Sequence, residues 1–182
     1  MKRLFTHFIL CILLALAATS CATAKPAAST EEMPSDIQSL STADVNTENW
    51  SDRAREVLMN ALSLSGIRYK YGGSSPDAGF DCSGFVRYVF KQAASLTLPR
   101  SAFEISQLGT TVAKKDLQPG DLVFFNTLKS AFSHVGIYVG DNRFIHSPRS
   151  GGVVRIESME NGYWAKRYNG AQRIDANNER TN

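Results

Sequence analysis

Cysteine and histidine are scarce in this 182-residue chain, at three residues each. The scarcity makes each position informative. No C-x-x-C and no H-E-x-x-H occurs, so the spacings that mark common zinc sites are missing. One Cys with two His can still ligate zinc, which leaves a metal site as a minor alternative. The formal net charge is only +3, with no basic cluster of the kind that nucleic-acid binders carry. Nothing calls for an organic cofactor. No apolar run reaches the roughly 20 residues that a membrane-spanning helix needs.

The longest apolar run, residues 8–18, follows Lys2 and Arg3 and leads into small residues. That is the layout of a secretory signal peptide, residues 1–20. Two cleavage readings compete. Leu16-Ala17-Ala18-Thr19-Ser20-Cys21 resembles a bacterial lipobox, although Ala18 stands where a branched aliphatic residue is usual. Ala22-Thr23-Ala24 offers ordinary cleavage and a soluble secreted product. The lipobox reading is favoured. It makes Cys21 an acylated N-terminus that holds the protein on a membrane. Ala22, rather than an aspartate, follows it, which by resemblance to Gram-negative lipoproteins points to the outer membrane, facing the periplasm.

Residues 21–49 are rich in Ala, Ser, Thr, Glu and Pro and read as a flexible tether. A folded domain is expected over 50–175 and a polar tail over 176–182. The folded part carries most of the positive charge, which suits an anionic polymer or simply a solvated surface. Cys11 leaves with the signal and Cys21 is spent on lipid. Cys82 is then alone in an oxidising compartment, where cysteines are usually paired, and a lone one is flagged as reactive. A small buried cysteine is the plain alternative.

The first helix is expected to start near Ser51, with Ala54, Val57, Leu58, Ala61 and Leu62 on one face. A second starts at Cys82 or Ser83, capped by Asp81, with an apolar stripe of Phe85, Val86, Val89, Phe90 and Ala93. Ser101-Ala102-Phe103-Glu104 is a capping box for a third. After Leu117 the pattern alternates instead. Strands are expected at 122–125, 135–139, 144–146, 153–156 and 170–174. Helices first and hairpin-linked strands second give an α+β fold with an antiparallel sheet.

A helix N-terminus carries unpaired N–H groups and partial positive charge, which favours a thiolate at Cys82. The two histidines of the mature chain, His134 and His146, flank one hairpin. A three-residue turn at Asp141 pairs Val139 with Arg143 and sets His146 opposite Gly136. His134 is then its diagonal neighbour on the same face. A two-residue turn separates them. Placed together, His134 can serve as general base and His146 as its orienter.

Several blocks carry a family likeness. They are Tyr69-Lys70-Tyr71-Gly72-Gly73, Phe80-Asp81-Cys82-Ser83-Gly84-Phe85, Leu98-Pro99-Arg100-Ser101, Pro119-Gly120-Asp121-Leu122-Val123-Phe124-Phe125, His134-Val135-Gly136-Ile137-Tyr138-Val139-Gly140 and Phe144-Ile145-His146. In this order they resemble the NlpC family of bacterial cell-wall cysteine peptidases, from about residue 52 to residue 174. The closing Tyr163-Trp164-Ala165-Lys166-Arg167-Tyr168 is most similar to the MepS-type lipoprotein murein endopeptidases. The resemblance implies a papain-like fold and a cofactor-free enzyme, and a single domain on a polar tether is most simply a monomer. It implies Cys82 as nucleophile, His134 as base and His146 as third member. It further implies Tyr69 near the oxyanion, substrate contacts at Asp81 and Ser83, and a carboxylate partner for Arg100. The implied bond is D-Ala–diaminopimelate in a murein cross-link. D-Glu–diaminopimelate cleavage, acyl transfer and a silent murein-binding scaffold are the alternatives.

Overall fold

The computed structural model describes residues 42–127, 130–149 and 151–174. The expected signal peptide, Cys21 and the polar tail lie outside them. Helix α1 is Thr42–Ser63, so it starts nine residues before the expected Ser51 and takes in the last part of the expected tether. Residues 42–50 contain no Gly or Pro to break a helix. Its buried face is Val57 and Ala61, continued by Leu64, whereas Leu62 is exposed. Strands β1 (Ser74–Ser75) and β2 (Gly79–Phe80) form a small hairpin.

Helix α2 is Cys82–Ala94, capped by Asp81 as expected. Helix α3 is Ala102–Ile105, and both halves of the Ser101–Glu104 capping box form. Then follow β3 (Thr110–Val112), β4 (Leu122–Phe125), β5 (His134–Gly140), β6 (Arg143–His146), β7 (Arg155–Ser158), helix α4 (Gly162–Ala165) and β8 (Tyr168–Arg173). The last six strands make one antiparallel sheet in the order β3-β8-β4-β5-β6-β7. The fold is therefore α+β, as the order of patterns implied.

Both faces of this sheet are covered, which explains the unbroken apolar run of β4. Leu122 and Phe124 join Val135, Ile137 and Ile145 in the core shared with α1 and α2. Val123 and Phe125 join Tyr138, Phe144 and Trp164 on the opposite face. At the start of β4, buried Asp121 takes two hydrogen bonds from Arg173 at 2.7 and 2.8 Å, which fastens β8 to it.

A cysteine and two histidines at the end of the sheet

Cys82 is the first residue of α2. The loop before it is pinned to the histidine strand, because Ser147 Oγ donates to the Phe80 carbonyl at 2.8 Å. Ser147 follows His146 directly. Gly84 allows the first turn of α2 to lie on the Gly72-Gly73 loop: a Cβ there would stand 2.1 Å from the Gly73 carbonyl oxygen.

The hairpin reaches the expected register by an unexpected route. Its turn has two residues, Asp141 and Asn142, both with positive φ, and Gly140 pairs with Arg143. That correction alone would send the histidines to opposite faces. A register shift between Tyr138 and Gly140 cancels it, so Tyr138 pairs with Phe144 and Ile137 with Ile145. The extra residue has the same effect as the odd-length turn. Gly136 then lies beside His146, and a Cβ on it would be 3.1 Å from His146 Cβ and 2.6 Å from the Phe144 ring.

His134 Nε2 and His146 Nδ1 are 2.8 Å apart, with the rings nearly perpendicular. Both residues are buried, at 3% and 0% exposure. They sit on the sheet face away from α2, against Phe125, Phe144 and Trp164, and Trp164 stacks on His134 at 5.3 Å. Cys82 lies on α2 and shares a cleft with His134. The backbone N–H groups of Val135, Ser83 and Cys82 interact with its sulfur. Cys82, His134 and Tyr69 line one cleft of about 500 Å³, together with Arg149, Glu157 and Trp164.

The electrostatics correct one expectation. Cys82 is half-exposed as a residue, yet burial of the thiol raises its pKa from the ordinary 9.0 to about 11, and the Asp81 charge adds to the rise. The nearby N–H groups oppose this but do not win. The resting group is a thiol. Desolvation, and then the neighbouring His146, holds His134 well below the usual imidazole range. His134 is therefore neutral near pH 7 and able to accept a proton. Burial likewise lowers His146. Burial, followed by the Cys82 and Asp81 charges, raises Tyr69, whose hydroxyl keeps its proton.

The other expected site residues form a separate cluster. Asp81 accepts from Gly84 N at 2.7 Å and Gly72 N at 3.0 Å. Arg100 donates to both Asp81 oxygens, at 2.5 and 3.1 Å, and to Ser83 Oγ at 2.8 Å. The carboxylate that Arg100 meets is thus the protein's own. Asp81, Ser83 and Arg100 are not among the residues lining the cleft. The structure also brings in a residue the sequence reading missed. Glu157 Oε1 lies 3.7 Å from His146 Nε2, and Trp164 Nε1 and Arg155 both donate to the Glu157 carboxylate. Strand β7 begins two residues later than expected, which is what puts Glu157 inside the sheet. Alternation from His146 through its partner Arg155 to Glu157 was the available signal.

Comparisons with known proteins identify the family. Residues 66–173 match the NlpC/P60 family. The chain is 40% identical over 148 residues to the murein DD-endopeptidase MepS/murein LD-carboxypeptidase of Escherichia coli K12, covering 80% of this chain and 77% of the relative. It is 43% identical over 126 residues to the murein DD-endopeptidase MepH of the same organism, covering 67% of this chain but 46% of MepH. Among solved structures, an NlpC/P60 family protein from Bacillus cereus superposes with a TM-score of 0.63 at 36% identity, over 66% of this chain and 40% of that one. A family match across more than half the chain, joined to relatives at this level of identity, means that the chain belongs to the NlpC/P60 family.

Proposed function

We propose that this chain is a peptidoglycan endopeptidase that cuts murein by a Cys-His-His thiol mechanism. The observation that carries the reading is a cysteine at a helix start sharing one cleft with a neutral, buried histidine whose far nitrogen is held by a second histidine. His146 occupies His134 Nε2, which leaves Nδ1 as the nitrogen for the thiol. Because the resting sulfur is protonated, His134 acts as a general base during attack. The Cys82 proton moves to His134 while the sulfur bonds to the amide carbon. The backbone N–H of Cys82 and the Tyr69 hydroxyl steady the oxyanion, each such donor lowering the barrier by about 3 kcal/mol. His134 then protonates the leaving amine and a thioester remains. A water molecule gives its proton to His134 and attacks the thioester. The carboxylate leaves, and the thiol is restored.

The favoured bond is D-Ala–diaminopimelate in a cross-link, because MepS and MepH both bear the name DD-endopeptidase. Cleavage of D-Glu–diaminopimelate is the second reading. The proposal includes a monomeric enzyme in the cell envelope, acylated at Cys21 and held on the outer membrane. Asp81, Ser83 and Arg100 fix the start of α2, and any substrate contact they make is from the rim. Purified murein incubated with the protein should release un-cross-linked muropeptides, identified by mass spectrometry, and Cys82→Ala should abolish the release. Unchanged release by Cys82→Ala would sink the mechanism, and cleavage at D-Glu would redirect the bond assignment.

A further inference from the structure

His146 Nε2 is a fully buried ring nitrogen with no hydrogen-bond partner among the described residues. A buried donor is seldom left in this way without a reason. The acceptor it faces is Glu157 Oε1 at 3.7 Å, just beyond hydrogen-bond length. That carboxylate is itself held in place. Trp164 Nε1 and Arg155 both donate to it, and the same Trp164 ring stacks on His134. One indole thus touches both ends of the histidine pair. The proton positions follow from the chain of contacts. For His134 to take a proton at Nδ1, its own proton must sit on Nε2 and point at His146 Nδ1. His146 must then carry its proton on Nε2, directed at Glu157.

We propose that Glu157 is a positioning residue that completes a Cys82–His134–His146–Glu157 relay, fixing the His146 proton on Nε2 so that His134 presents a bare Nδ1 to the thiol. This rests on the thiol mechanism above. The negative charge also favours the imidazolium that forms on His134 during attack, as a buried carboxylate does in other triads. The charged and titratable groups interacting with the histidines are Glu157 and Arg155 from β7; Cys82 at the start of α2, Tyr69 from the loop before β1 and Arg149 after β6 line the same cleft as His134. Of these, Glu157 favours protonation of both histidines, and Arg155 opposes it at His146.

The test compares Glu157→Gln and Cys82→Ala with the wild-type protein on purified murein, alongside nitrogen-15 NMR of the histidine rings. In Glu157→Gln, kcat should fall by at least about tenfold with KM nearly unchanged; the matching change in a Ser-His-Asp triad costs about 10⁴-fold. The acid limb of kcat/KM should move to lower pH, since the imidazolium has lost its counter-charge. His146 should change from a single Nε2–H tautomer to a mixture. A wild-type acid limb and tautomer in Glu157→Gln would overturn the proposal, as would a loss of activity that only follows a loss of folded protein. Activity surviving in Cys82→Ala would instead overturn the thiol mechanism, and the tautomer would still decide the role of Glu157. If Glu157→Gln does not fold, Trp164→Phe removes the indole N–H that steadies the carboxylate, together with part of the ring that packs on His134. It should move limb and tautomer the same way by a smaller amount, and no movement counts against the relay.

Discussion

At Cys82 two local fields oppose each other. The helix start stabilises negative charge on sulfur, but the burial of the thiol and, after it, the capping carboxylate beside it disfavour that charge more strongly. Asp81 is therefore a cap with an electrostatic side effect. Replacing it by Asn keeps most of the cap and removes the charge, while Arg100 stays nearby. The inflection for alkylation of Cys82 by iodoacetamide should then move below the value of about 11 set in the native protein. A pH-rate profile of alkylation measures this, and an unmoved inflection would show that burial alone sets it. The sequence shows the cap but not its sign of action, because Asp81 is read there as a partner of backbone N–H groups and not as a neighbour of sulfur.

The hairpin β5–β6 is the element that builds the histidine pair. Its register was expected from a three-residue turn at Asp141; the placing of Gly136 beside His146 holds, but through a two-residue turn and a bulge, and a bulge leaves no mark in composition. Gly136→Ala tests the fit there. The added methyl would press on the Phe144 ring, the Ile145 carbonyl and His146. We expect a loss of about 1–3 kcal/mol in urea unfolding, and a loss of murein cleavage among the molecules that remain folded. Wild-type stability and activity together would mean that the strands can part without cost. Short exposed elements were the hardest to read. Strand β3 is only Thr110–Val112 and pairs at the sheet edge, so it shows no periodicity. Glu157 escaped for a related reason: with β7 placed two residues early, the expected strand ended at residue 156, one short of Glu157.

Across the whole molecule the buried histidines make folding depend on pH. In the unfolded chain His134 and His146 bind protons as pH falls through the ordinary 6.5, while in the fold burial keeps them neutral to lower pH. Glu157 adds a loss in the same direction. Its carboxyl is held down to about 2, chiefly by the adjacent His146, so its contribution disappears as pH falls from 4.5 towards that value. Tm by calorimetry should therefore decline steadily from pH 7 to pH 4. His134→Gln should flatten the part of that decline nearest neutrality, and an equally steep slope in the variant would assign the effect elsewhere. The fold class was readable because the period change after Leu117 separates helices from strands. The covered second face was not, because Trp164 is a single residue whose burial depends on where α4 lands.

The protonated thiol has a consequence for the proposed envelope enzyme. With a pKa of about 11, only roughly one molecule in ten thousand carries bare sulfur at pH 7. Peroxides and foreign disulfides react with that form, so they find few targets between turnovers. A nucleophile that ionises only when a substrate and His134 meet it can stay unpaired in an oxidising space without a guardian cysteine.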